Sequence, residues 1–113
     1  MPMYFVLDDR GEPQREQDFD AWSRWFERAD RRVARTVVTA DVTVLTTFTG
    51  VDESAAEGSE PMLFGTRVFG GVLNGEEAMR RTRAEALAAH AELVEWSRIG
   101  NAPGAGVTED QIR

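Results

Sequence analysis

The chain predicts an α+β fold, with a curled antiparallel sheet of about four strands and two helices on one face in the order β-α-β-β-β-α. Three observations lead there. Two segments carry apolar residues at helical spacing, the segments between them have strand composition, and Asp, Gly and Pro between the strands mark hairpin turns rather than long crossovers. No internal repeat is visible in the 113 residues.

Tyr4-Phe5-Val6-Leu7 is a short aromatic and β-branched run that stops at Asp8-Asp9-Arg10-Gly11-Glu12-Pro13, giving an opening strand and a turn. From Asp18 to about Arg35, Phe19, Trp22, Phe26, Ala29 and Val33 recur at steps of three and four, which predicts a helix capped by Asp18 or Asp20. Arg31, Arg32 and Arg35 would then sit in its last turn, where cations suit the dipole. Residues 36–49 are almost wholly Thr and Val. They predict a strand at 36–39, a turn at Ala40-Asp41, and a longer strand at 42–50. On that longer strand Val42, Val44, Thr46 and Phe48 share one face, and Thr43, Leu45, Thr47 and Thr49 the other.

Residues 51–61 are acidic and rich in small residues, as in a mobile surface loop. Residues 62–69 alternate Met62, Phe64, Thr66, Val68 against Leu63, Gly65, Arg67, Phe69. Gly70-Gly71 suits a hairpin bend, with Val72-Leu73 returning. Thr82-Arg83-Ala84-Glu85 has capping-box spacing, so the second helix starts there, with residues 75–81 as a turn or a lead-in. Its expected core face is Ala86, Leu87, His90, Leu93 and Val94. Gly and Pro after residue 99 end it. The expected organisation is one domain over residues 1–99 and a disordered tail over 100–113.

Composition narrows the chemistry. Cysteine is absent, which excludes disulfides, thiol catalysis and Cys-ligated metals. All 13 basic residues are Arg, so Schiff-base chemistry and a P-loop lysine are excluded too. Against 20 acidic residues the net charge is −7, and both halves are acidic: 7 Arg with 9 acids over residues 1–50, and 6 Arg with 11 acids over 51–113. Such a chain presents no broad basic footprint to DNA, RNA or anionic lipid. No apolar run approaches a membrane span, and residues 1–7 are too short for a secretory leader, so the expected location is the cytoplasm.

The candidate functional residues are few. His90 is the only histidine, and it lies within an apolar helical stripe, the setting of a hydrogen-bonded core histidine. Arg24, Arg28, Arg31 and Arg35 line one helical face, but Asp20 and Glu27 stand four residues ahead of Arg24 and Arg31, as in a solvated face. Asp8, Asp9, Asp41, Asp52 and Glu53 lack metal-site spacing and read as surface acids. Trp25 and Trp96 fall off their helices' core stripes, as residues of a subunit interface or of a covered sheet edge do. The segment from Phe64 to Glu76 combines an aromatic face, a mid-strand Arg, glycines, and then Asn and Glu. An aromatic can stack a base, Asn and Glu can bond hydroxyls or base edges, and Arg can clamp a phosphate. A hairpin leading to a helix cap accounts for the same residues.

The blocks at residues 4–9, 22–32, 44–52 and 63–71, with Ala89-His90, resemble a large set of small phage and prophage proteins of unassigned function, over most of residues 4–95. Those relatives usually carry Glu where this chain has Gly65 and an aromatic where it has Arg81. Through Phe64, the hairpin, and Asn74 and Glu76 at their spacing, the chain is similar to the Thoeris anti-defence sponge family. Members sequester cyclic ADP-ribose isomers made by TIR-domain immunity proteins, and do so as oligomers without chemistry. The resemblance implies that Phe64 stacks the adenine and that Asn74 and Glu76 bond polar edges of the ligand. Arg67 and Arg81 are expected as phosphate contacts from charge and position alone.

The expected protein is therefore a phage-encoded, cytoplasmic, non-enzymatic homo-oligomer without cofactor or metal that binds a small nucleotide. Two alternatives stay open. One is a protein–protein inhibitor using the acidic 51–60 loop and the off-stripe tryptophans. The other is a metal-dependent hydrolase built on loop carboxylates.

Overall fold

Met3–Leu7 forms β1, and the turn after it brings back a second strand, β2 (Pro13–Glu16), whose polar sequence does not announce it. Asp8 makes the turn. Its carboxylate accepts the backbone N–H groups of Arg10 and Glu12 at 2.8 and 2.9 Å, and the Gln14 amide at 3.2 Å. These donors, Glu12 first, hold its carboxyl below the usual carboxylate range. The computed structural model describes residues 3–52 and 61–100.

The first helix, α1 (Phe19–Arg28), starts as expected, with Asp18 accepting the Asp20 N–H at 3.0 Å. It ends at Arg28 and not near Arg35. Asp30 accepts the Arg32 N–H at 3.1 Å and its guanidinium at 3.0 Å, and from Arg32 the chain becomes a strand, β3 (Arg32–Thr39). Val33, Thr36, Val37, Val38 and Thr39 are β-branched. They lose rotamer freedom in a helix and fit a pleated strand that has a neighbour to pair with. The expected arginine stripe therefore does not exist. Arg31 lies 3.9 Å over the Phe26 ring and donates to the Phe48 carbonyl at 3.2 Å, while Arg35 projects from β3.

β4 (Val42–Phe48) alternates as expected, with Val42, Val44, Thr46 and Phe48 buried. The chain then bends at Gly50, whose φ of 77° suits glycine, into the short β5 (Val51–Asp52). The Gly50 carbonyl accepts from the Phe5 N–H at 2.9 Å and from Trp22 Nε1 at 3.1 Å, which ties this bend to β1 and α1. Residues 53–60, most of the expected acidic loop, lie outside the described residues, as do residues 101–113 of the expected tail.

β6 (Phe64–Phe69) pairs with β4. After the turn that follows, the returning element is not Val72-Leu73 but β7 (Glu77–Arg80), in place of the expected helical lead-in. The second helix, α2 (Arg83–Gly100), opens on the expected capping box: Thr82 Oγ1 accepts the Glu85 N–H at 3.1 Å, and the Glu85 carboxylate accepts the Thr82 N–H at 3.3 Å.

The protein is α+β, with two antiparallel sheets rather than one. Their strand orders are β2-β1-β5 and β3-β4-β6-β7. The helices divide between the sheets: α1 packs on β1 and β2 and reaches the second sheet through Trp25, on the side that α2 covers, while α2 crosses all four strands of that sheet. Beneath α2 lie two apolar clusters, one of Val42, Val44, Val68, Leu93 and Val94, the other of Phe48, Leu63, Phe64 and Ala86. Leu87, expected in this core, is exposed; Ala89 and Ser97 are buried there. Trp25 packs against the second cluster, edge-on to Phe48 with ring centroids 5.9 Å apart, and Trp96 is exposed. Among the described residues, no helix is long and apolar enough to cross a membrane.

Candidate functional site

Strand alternation separates the five expected site residues. Phe64 lies on the α2 side of β6 with Thr66 and Val68, fully buried at 0% exposure and with its ring centroid 5.4 Å from that of Phe48. Arg67 projects from the opposite side of the strand. A ring enclosed in the core offers no face to a ligand, so the stacking role implied for Phe64 is replaced by a packing role.

Asn74 also has a structural task. Its Oδ1 accepts the Gly70 N–H at 2.7 Å across the turn joining β6 to β7, and the Gly75 N–H closes the same turn on the Val68 carbonyl at 2.9 Å. Glu76 is exposed at the end of that turn, its N–H bonded to Leu73 and its carbonyl to Val68. Arg81 is exposed between β7 and α2. The structure thus groups Asn74 and Glu76 in one turn, with Phe64 and Arg67 on opposite sides of the sheet.

His90 is the core histidine expected. Its Nε2 hydrogen-bonds Thr36 Oγ1 at 2.8 Å and its Nδ1 hydrogen-bonds Thr46 Oγ1 at 2.8 Å, and Thr46 in turn meets Thr66 Oγ1 at 2.5 Å. This polar row, drawn from β3, β4, β6 and α2, lies between the two apolar clusters. The sequence signal for it was the inward register of Thr46 and Thr66 opposite the one histidine. Burial pushes the imidazole below its ordinary value of 6.5, because the charged form is the one that desolvation penalises. The unfolded chain then binds the proton more readily than the folded one, so this group's stabilisation is complete above about pH 6.5 and is lost as pH falls towards the folded value. Urea midpoints should therefore decline on acidification from about pH 7 to pH 5, well above the range where Asp8 and Asp30 titrate. A flat profile over that interval would contradict the buried neutral ring.

Among the described residues, the other side of the four-stranded sheet is open. Neither helix packs there. Its side chains follow from the strand register: Arg35, Leu45, Arg67 and Glu77 lie abreast across β3, β4, β6 and β7, with Val37, Thr43 and Phe69 on one flank and Thr47, Gly65 and Met79 on the other. Gly65 leaves a shallow depression of about 240 Å³ there, bordered by Leu45, Thr47, Thr49, Arg67, Phe69, Glu77 and Met79. The Arg67 guanidinium stands 3.8 Å from the Glu77 carboxylate and 5.9 Å from the centre of the Phe69 ring. Apolar and aromatic groups, two threonine hydroxyls, one cation and one anion therefore converge on one concavity, the composition of a small-molecule site.

Sequence reasoning named Arg67 here and missed Phe69, Glu77 and Met79. The alternation of residues 64–69 already set Arg67 and Phe69 on one face. The pairing of β7 that adds Glu77 and Met79 carries no local signal. Among the described residues, no three His, Asp or Glu side chains form a group that could hold a metal. Comparison with known protein families, curated proteins and solved structures finds no match for this chain.

Proposed function

We propose that this protein acts by binding, as a phage-encoded sponge in the host cytoplasm, and that it sequesters a small nucleotide of the cyclic ADP-ribose class on the open face of β3-β4-β6-β7. The carrying observation is the convergence of Arg67, Phe69 and Glu77 on the depression beside Gly65. In this reading Phe69, in place of Phe64, supplies the aromatic face for the base, and Met79 and Leu45 extend the apolar floor. Arg67 takes a phosphate in a forked contact, which a guanidinium makes better than any other side chain. Glu77 and the Thr47 hydroxyl bond ribose hydroxyls. The surrounding charge of −7 disfavours long polyanions while leaving this local cation to a small one.

Calorimetric titration with cyclic ADP-ribose, ADP-ribose and AMP tests the reading. Cyclic ADP-ribose should bind best of the three, and Arg67→Ala and Phe69→Ala should each weaken it by about tenfold or more while circular dichroism stays unchanged. No binding of any of the three, or binding indifferent to both substitutions, would remove the site.

A further inference from the structure

We infer that the bare backbone at Gly65 is a second ring subsite, so that the open face takes a nucleotide carrying a flat base at each end of a phosphate bridge. The inference deepens the reading above and rests on it for one end of the ligand, where Phe69 and Arg67 hold a base and a phosphate.

Gly65 is the one glycine inside the described strands, in the middle of β6 with β4 on one side and β7 on the other. A glycine there weakens a sheet, because it brings no side chain to pack and loses more chain entropy than other residues. Backbone conformation does not require it, since Gly65 does not share the positive φ of Gly50, Gly70 and Gly75. Packing does not require it either. A Cβ at residue 65 would meet Met79 alone, with Sδ 3.1 Å and Cε 3.8 Å away, and the end of a methionine side chain swings aside at little cost. What the glycine leaves is a stretch of bare peptide in the depression, and a mid-strand glycine of this kind suits the close approach of a ligand.

The surroundings favour a base. Met79 lies abreast of Gly65 and lends a polarisable thioether to the edge of a ring laid on the peptide. Thr49 borders the same depression. Its hydroxyl donates to the Leu63 carbonyl at 3.2 Å, which leaves its lone pairs to accept from an exocyclic amine.

Spacing along β6 supplies the rest. Gly65, Arg67 and Phe69 share one face of the strand, so Arg67 stands about 7 Å and Phe69 about 14 Å from Gly65 at the usual rise. The order is ring slot, cation, ring. Two nucleosides joined through a pyrophosphate have arms long enough to lay one base on Gly65 and the other on Phe69, with the bridge at Arg67. The other cations of this face agree with a bridge there: Arg35 stands across Leu45 from Arg67, and Arg32, abreast of Thr47, is already paired with Asp30 at 3.0 Å. Glu77, 3.8 Å from Arg67, keeps the ribose contact proposed above.

Calorimetric titration of the full chain compares diadenosine diphosphate, with adenine at both ends of its pyrophosphate, with ADP-ribose, which lacks the second ring. The intact protein should bind diadenosine diphosphate about tenfold or more tighter. Gly65→Val, which fills the slot, should bring the two ligands to within about threefold of each other and leave ADP-ribose unchanged. Valine suits a strand, so the urea midpoint should not fall; Gly65→Ala, which displaces only the end of Met79, should give a partial loss and decides the matter if the valine variant does not fold. Equal affinities in the intact protein, no binding of either ligand, or an advantage that survives the substitution overturns the subsite. If diadenosine diphosphate binds and responds to Gly65 while cyclic ADP-ribose, ADP-ribose and AMP do not bind, the subsite stands and the cyclic ligand falls. If ADP-ribose binds and the second adenine adds nothing, the nucleotide reading stands and the subsite falls.

Discussion

Phe64→Ala should lower the free energy of unfolding by about 3–5 kcal/mol, a large fraction of what a domain of this size possesses. The ring is fully enclosed, lying against Phe48 in the cluster completed by Leu63 and Ala86, and that cluster in turn supports Phe5, Leu7, Trp25 and Val33. Truncation removes the ring's transfer free energy and leaves a cavity at the junction of α2 with both sheets. The surrounding strands are pinned by their hydrogen bonds and cannot collapse into the space. Urea denaturation measures the effect. A loss below about 1 kcal/mol, accompanied by lost nucleotide affinity, would return Phe64 to the ligand and contradict its burial here.

Gly70→Ala should be comparably severe, at about 3–5 kcal/mol, for a different reason. Gly70 has a φ of 89°, and a Cβ at this position would stand 1.8 Å from the Asp41 carbonyl oxygen. The obstacle is backbone at the β3–β4 turn, so no side-chain rotation relieves it. Gly75, in the same turn as Asn74, supplies the control: its φ is 91°, but nothing lies within 4 Å of a Cβ built there. Gly75→Ala should therefore cost only the left-handed backbone penalty of about 1–2 kcal/mol. Equal losses at the two glycines in urea titrations would show that φ, and not the contact with Asp41, sets the cost.

The elements that were legible were those with strong local periodicity. The alternation of β4 and β6, the start of α1 at its Asp18 cap and the Thr82–Glu85 box all stand where the residues alone put them. The end of α1 was not legible, because Ala29 and Val33 continue the helical spacing while the β-branched run from Val33 competes with it. Pairing with β4 settled that competition. Nor were β2 and β7 legible: Pro13–Glu16 and Glu77–Arg80 are short, largely polar edge strands. They exist because β1 and β6 offer unpaired backbone groups beside them.

The candidate site divides in the same way. Arg67 was found from its chemistry. Phe64 and Asn74 were singled out for residue type, but one is committed to the core and the other to holding the Gly70 turn. Residue type says what a side chain is able to bond, and its neighbours in space decide what it does bond.

By itself, the sequence determined the α+β class, the acidic lysine-free and cysteine-free chemistry, and which residues share a face within each regular segment. These are local properties, since a period of two or 3.6 is written in consecutive residues. Only the tertiary structure decided which face is covered. It placed α2 over Val44, Thr46 and Phe64, gave α1 to a separate sheet, and left Arg35, Arg67, Phe69 and Glu77 together on an open surface. The cover over a strand comes from residues distant in the chain, and the free energy of burying one face rather than the other exists only once they meet.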